Sequence, residues 1–338
     1  MKLNKKKIFI LSISSLFLLL VVYYFWFDRH YPAKIDLQAK PNYWGVTFSK
    51  HFAATDLKLD WRAAYLAILD DLQVKQIRLP LYWDEIEPTV NHYAWADNDW
   101  MISEGAKRNA KFIVVLGMRQ PRWPECHFPD WAKNLDTAPR QQAVLDLLKQ
   151  TVSHYKNNSA VTMWQVENEP LLASFGVCPP VDESFLEKEV ALVKSLDNRP
   201  ILITGSGELS LWTHETKLGD DFGATLYRVV WDIKTGYFHY FFPAQFYDWR
   251  LALNHRTSNT AIVAELQAEP WSPNGGLYNF PVKEADKSFD LQQFKANLQY
   301  AINLNWQVAY LWGAEWWYYQ KQQGNSEYWD LAKQMLRQ

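Results

Sequence analysis

Val161-Thr162-Met163-Trp164-Gln165-Val166-Glu167-Asn168-Glu169-Pro170 is a short apolar run that ends in two glutamates, an asparagine and a proline. Its β-branched and aromatic residues predict a strand over 161–166, which Asn168 and Pro170 bring to a stop. The same signature recurs on either side, at 43–48, 76–82, 112–117, 201–204, 223–227, 261–264 and 308–312. Helical patterns lie between most of these runs. Trp61, Tyr65, Ile68, Leu69 and Leu72 share one helical face, as do Leu291, Phe294, Leu298, Ala301 and Ile302. Near-continuously apolar strands separated by amphipathic helices predict a parallel sheet covered on its outer side. Eight of them within residues 42–338 predict an α/β fold of one kind, a single (β/α)8 TIM barrel. The fifth and sixth helical patterns are the weakest: 205–220 and 228–242 read as loops with short helical pieces. No repeat, low-complexity tract or Pro/Gly linker divides 42–338, which reads as one domain.

The chain has 338 residues, net charge −2, 48% hydrophobic and 21% charged residues. That balance leaves no basic excess to neutralise phosphates and argues against a nucleic-acid partner. So much apolar content also excludes disorder. Aromatic residues reach 16%, with 18 Trp, 18 Tyr and 18 Phe. Such rings fill cores, but they also make flat platforms for the apolar faces of sugars.

The first thirty residues are a separate object. Lys2, Lys5, Lys6 and Lys7 precede an apolar run over 8–27, interrupted by Ser12, Ser14 and Ser15. Twenty helical residues span roughly 30 Å, the thickness of a bilayer's hydrocarbon core. Tyr23, Tyr24 and Trp26 stand at its far end, where amphipathic rings favour the interface. The lysines predict a cytoplasmic N-terminus, with everything after Asp28 outside. The rival reading is a cleaved signal peptide, but the run is long and Phe25-Trp26-Phe27-Asp28-Arg29 offers no small-residue cleavage site. The expectation is therefore an uncleaved transmembrane anchor helix in 1–30, a linker over 31–41 and a barrel domain over 42–338. Residues 1–30 hold five basic residues and one acidic, so 31–338 carry 30 and 36, net −6. That charge predicts a soluble, mildly acidic barrel domain that is no membrane-surface binder; the domain is expected to be monomeric and, from the lysines, extracytoplasmic.

In a TIM barrel, chemistry sits where strands end and the following loops begin. The fourth run ends at Glu167-Asn168-Glu169, and the seventh continues as Glu265-Leu266-Gln267. A carboxylate at the end of a buried strand is costly unless it opens on a cleft or is well paired. Strands four and seven face each other across the barrel mouth. Two carboxyl groups flanking one bond are what glycoside hydrolysis requires.

At these residues the sequence resembles the clan A glycoside hydrolases, and within them the cellulase-like family 5 and its neighbours. The resemblance rests on Asn168-Glu169-Pro170 after strand four and on Glu265 at strand seven. Ile77-Arg78-Leu79-Pro80 in strand two, running into Trp83 and Ile86-Glu87-Pro88, supports it. It implies Glu169 as general acid/base and Glu265 as nucleophile of a retaining mechanism, with carboxyl groups about 5–5.5 Å apart. It also implies Asn168 on the sugar 2-hydroxyl, Arg78 beneath Glu265, and Tyr227 donating to Glu265. Trp312 would floor the reacting sugar, with Trp316 as its alternative. Two departures stand out. Strand three runs into Met118-Arg119-Gln120-Pro121 and Thr225-Leu226 precede Tyr227, where many family 5 members carry histidines.

Rival readings exist for several residues. Glu269 competes with Glu265, Glu167 reads as half of a structural ion pair, and Glu208 and His51 read as cleft or capping residues. Trp83 and Trp271 join Trp312 and Trp316 as sugar-platform candidates. Cys126 and Cys178 follow strands three and four on the same barrel face, and a disulfide between them would staple these loops. The histidines form no metal cluster, and no phosphate-binding loop, dinucleotide fingerprint or nucleophile elbow occurs. The reading is thus a membrane-anchored retaining β-glycosidase acting on an oligo- or polysaccharide without metal or cofactor. A non-catalytic carbohydrate-binding barrel and an envelope-glycan transglycosylase are the alternatives.

Overall fold

The computed structural model describes residues 14–19 and 42–337. Residues 14–19 are a short exposed helix. The span predicted over 8–27 lies mostly outside the described residues, and among those that are described no helix is long and apolar enough to cross a membrane.

The strands of 42–337 are β1 (Trp44–Thr47), β2 (Gln76–Pro80), β3 (Lys111–Leu116), β4 (Val161–Val166), β5 (Ile201–Ser206), β6 (Asp221–Leu226), β7 (Val229–Asp232), β8 (Gly236–His239), β9 (Ala261–Gln267) and β10 (Ala309–Trp312). Eight of them close a barrel in the order β1-β10-β9-β6-β5-β4-β3-β2. Every neighbouring pair in it is parallel. Each predicted apolar run is a barrel strand, with ends moved by up to three residues. The remaining two, β7 and β8, pair antiparallel as a hairpin within 228–242. The sequence alone reads there as loop with short helical pieces. Val229-Val230-Trp231 and Tyr237-Phe238 are β-formers joined by a turn ending at Gly236, whose φ is 72°. The weak fifth helix is four residues long, Glu215–Leu218.

Three of the covering helices start at an aspartate cap. Asp60 accepts from the N–H groups of Arg62 and Ala63 at the start of α1 (Trp61–Asp70). Asp182 accepts from Phe185 N–H at α2 (Glu183–Leu196), and Asp290 from Gln293 N–H at α3 (Leu291–Leu304). The apolar faces of α1 and α3 are buried as their periodicity predicts, through Tyr65, Ile68, Leu69, Phe294, Leu298 and Ala301.

The barrel interior is layered. Ile113, Leu202, Ile262 and Tyr310, with Met163 and Val308, form an apolar layer. Two residues further along β4 and β5 the inward side chains are Gln165 and Thr204, in a polar layer with Arg78. On β9, strict alternation from Ile262 would turn Glu265 outward. Ala224 pairs with Val263 and Thr225 with Glu265, so Ala264 is skipped. Leu311 likewise pairs with Leu266, two steps after Ala309 pairs with Val263. This bulge turns Glu265 into the barrel.

Candidate active site

Arg78, buried completely in β2, is the hub of the polar layer. Its Nε donates to Gln165 Oε1 (2.7 Å), its Nη1 to Glu265 Oε1 (2.8 Å) and Thr47 Oγ1 (3.4 Å), and its Nη2 to Asn168 Oδ1 (2.7 Å). A rigid planar fork is what lets one side chain tie β1, β4 and β9 together. A guanidinium so buried needs a counter-charge, and Glu265 is the carboxylate that meets it. The other oxygen of Glu265 accepts from the Tyr227 hydroxyl (2.9 Å). Burial, then the Glu265 charge, pushes that hydroxyl well above its usual range, so Tyr227 remains a proton-bearing donor.

Glu169 is held differently. Its backbone lies in the left-handed region, φ 43°, and its N–H donates to Thr204 Oγ1 (2.9 Å). Its Oε1 accepts from Thr225 Oγ1 (3.0 Å), and Thr225 is the register partner of Glu265. The two glutamates thus meet on one rim, with a threonine hydroxyl on the strand beside Glu265. Among the described residues no Lys or Arg forms an ion pair with Glu169. Burial, and after it the negative charge of Glu265, raises its pKa to about 8. One carboxyl keeps its proton at neutral pH while the other is bonded to a cation.

The remaining predicted residues sort as follows. Asn168 faces the same rim, its Nδ2 donating to Glu125 Oε2 (3.2 Å). Trp312 ends β10, with the Arg122 guanidinium 4.1 Å from its ring centroid. Trp316 is not part of the site. It lies beyond the strand in the helix Ala314–Gln322, 2% exposed and packed on Phe289 and Tyr328, because the chain leaves the barrel at Gly313. Trp83 is likewise core, its indole N–H bonded to Glu87. Trp271 stands edge-on to Tyr227 (5.4 Å between centroids) and packs on Phe175, so it lies beside the carboxyl pair.

Of the rival acids, Glu269 is bound by Arg122, and Glu208 lies behind Tyr227, accepting from its N–H and from the Tyr247 hydroxyl. Among the described residues Glu167 forms no ion pair, contrary to expectation. It accepts from Met118 N–H (2.9 Å) and Arg119 N–H (2.5 Å). A Cβ on Gly117 would stand 2.1 Å from its Oε1, so only glycine allows this approach. Burial raises Glu167 to about 7, and burial, then the Glu167 charge, pushes Glu189 beside it well above the usual carboxyl range. His51 bonds Glu85 and His127 packs on Tyr82, so neither joins the carboxyl pair.

Cys126 and Cys178 are joined in a disulfide linking the loops after β3 and β4. Behind it lies a cavity of about 220 Å³ lined by Met118, Val144, Pro180, Phe185 and Glu189; neither Glu169 nor Glu265 lines it. The sequence reading missed Gln165, Thr204, Thr225 and Glu125. Gln165 carried a signal, a polar side chain inside an apolar strand. Glu125 sits in an irregular loop with no period to betray it.

A closed parallel barrel with an acid and a carboxylate on its fourth and seventh staves has the pair that glycoside cleavage needs. Solved structures share the fold. Xylanase 10B from Thermotoga petrophila RKU-1, crystallised in complex with xylobiose, matches with a TM-score of 0.56 and 15% identity, over 84% of this chain and 86% of that one. Xylanase 10B from Thermotoga maritima matches with a TM-score of 0.54 and 15% identity, over 80% and 82%. These structural neighbours are clan A glycoside hydrolases, the group that the motifs resemble. Among curated proteins, mannan endo-1,4-β-mannosidase A of Emericella nidulans is 31% identical over 110 residues. That match covers 32% of this chain and spans 27% of the mannosidase. No family model matches the chain.

Proposed function

We propose that this protein is a retaining β-glycosidase with Glu265 as nucleophile and Glu169 as acid/base. One observation carries the reading: two carboxyls meet on one rim, Glu265 bonded to Arg78 and Tyr227, Glu169 kept protonated by burial. In the first step a Glu265 oxygen bonds to the anomeric carbon while Glu169 gives its proton to the departing glycosidic oxygen. In the second, Glu169, now a carboxylate, takes a proton from water, whose oxygen displaces Glu265 from that carbon. Nothing in this sequence of bonds requires a metal or cofactor. Asn168 and Trp271 border the space the sugar would occupy, and Trp312 ends the neighbouring stave.

The substrate class that the comparisons favour is a β-1,4-linked backbone such as mannan or xylan. A screen of aryl β-glycosides, mannan and xylan with the purified full-length protein tests this, with products analysed by chromatography. Reducing sugar release is the expected result. Transfer to an added sugar acceptor in preference to water would make the protein a transglycosylase, and binding without turnover would make it a carbohydrate-binding barrel. The reading extends to place: the lysines and apolar run of 1–27 would tether the barrel at the outer face of a membrane. Recovery of the protein in the soluble fraction after cell lysis would refute the tether and leave the chemistry untouched.

A further inference from the structure

One buried carboxyl of the rim has no task in this mechanism. Glu125 lies in the loop after β3, 4% exposed, with φ 72°. A glutamate takes that left-handed conformation only where its surroundings impose it. Here they do so from three directions. Glu125 N–H donates to Arg122 O (2.8 Å) and its carbonyl accepts from Gln120 N–H (2.7 Å). Next to it, Val177 N–H donates to Pro124 O (2.9 Å) and Cys126 is disulfide-bonded to Cys178. Gly176 presses so close that a Cβ there would stand 2.8 Å from both Cβ and Cγ of Glu125. The side chain has little freedom to turn away.

Its Oε2 accepts from Asn168 Nδ2 (3.2 Å). That amide cannot flip, since Asn168 Oδ1 accepts from Arg78 Nη2 (2.7 Å) and Gln165 Nε2 (3.3 Å). Oε1 takes part in no hydrogen bond among the described residues. Three titratable groups face the carboxyl: Arg119 from its own loop, Glu169 from the loop after β4, and Glu265 from β9. Arg119 comes no nearer than 3.9 Å through an Nε that has no hydrogen-bond partner, while the charge of Glu265 opposes a second negative charge, as does Glu169 once it has lost its proton. Burial is the largest effect and acts in the same direction, pushing this carboxyl well above its usual range.

We propose that Glu125 binds substrate as a neutral carboxylic acid, its Oε2 held by Asn168 and its Oε1–H donated to an oxygen of the bound sugar. The identity of the ligand rests on the glycosidase reading; the protonation state does not. Glutamine reproduces both ends of such a group, a carbonyl for Asn168 and an N–H for the sugar. Leucine reproduces neither. On the aryl β-glycoside turned over fastest, Glu125→Gln should therefore keep KM within about twofold of wild type, whereas Glu125→Leu raises it about tenfold with kcat less affected. Equal damage from both variants would show an anion at work, and no change from either would remove Glu125 from the substrate. A difference infrared spectrum, wild type minus Glu125→Gln at neutral pH, should show a carboxylic-acid C=O band. A carboxylate band in its place overturns the proposal, even if the leucine variant fails to fold. If the wild type cleaves no β-glycoside, the glycosidase reading falls separately. The Kd of a β-1,4-linked mannan or xylan oligosaccharide for wild type and Glu125→Leu, by calorimetry, then decides the contact.

Discussion

β4 and β9 each carry glutamates to the barrel mouth, and the two sets live in opposite electrostatic company. Past β4, Glu167 and Glu169 have backbone N–H groups, threonine hydroxyls and other carboxyls as neighbours. On and after β9, Glu265 and Glu269 each receive an arginine, Arg78 from β2 and Arg122 from the loop after β3. Residue type is the same on both sides. On the proposed mechanism, the difference teaches that a division into proton donor and nucleophile would be imposed from across the barrel, by which side receives the cations. A buried carboxyl without one keeps its proton, and its protonated state then suits it to give that proton away.

The sharpest way to break the contrast is to remove the cation-bonded member. Glu265→Ala should lower turnover of aryl β-glycosides by a factor on the order of 10⁴ or more, because no covalent intermediate can form. Residual activity near wild type would transfer the nucleophile to another acid. A smaller effect is expected on the other side. Glu169→Ala should lose about 10²–10⁴-fold on poor leaving groups and far less on activated aryl glycosides. Added azide should restore turnover and yield the β-glycosyl azide; the α-azide in that variant would reverse the two assignments.

The smallest effect is on stability. Because the folded pKa of Glu169 lies above its unfolded value, the folded chain binds the extra proton between about pH 4.5 and 8. Its contribution is complete below that window and is lost as pH rises through it. Glu169→Gln, which cannot ionise, should raise Tm by roughly 5 °C at pH 8 and leave it unchanged at pH 4. The pH profile of the wild type is the companion reading, with kcat/KM falling as pH rises past about 8. An increase in kcat/KM across the same range would show that Glu169 is not the acid.

The amino-acid order alone determined a good deal. Eight strand patterns with amphipathic helices between them announced the barrel, since burial on both faces of a parallel strand demands apolar residues at every position. The ends of the predicted strands announced Glu169 and Glu265, because a charged residue closing an apolar run is conspicuous, whereas Arg78 and Asn168 came only from the resemblance to the clan A glycoside hydrolases. The β7–β8 hairpin is not legible there, because a two-stranded ribbon of mixed residues has no long period.

Only the tertiary structure decided which way those side chains point and what they touch. The bulge at Ala264 turns Glu265 inward, and no residue in Ile262-Val263-Ala264-Glu265 signals it, as a bulge belongs to the pairing of strands and not to one of them. Trp316 shows the converse: four residues past Trp312 the chain has become helix, and a ring that reads as a platform is core. Glu125 reaches Asn168 across 43 residues of sequence, through a loop positioned by a disulfide and a glycine. Charge and hydrogen bonding act through a few ångströms of space, and distance along the chain carries no trace of them.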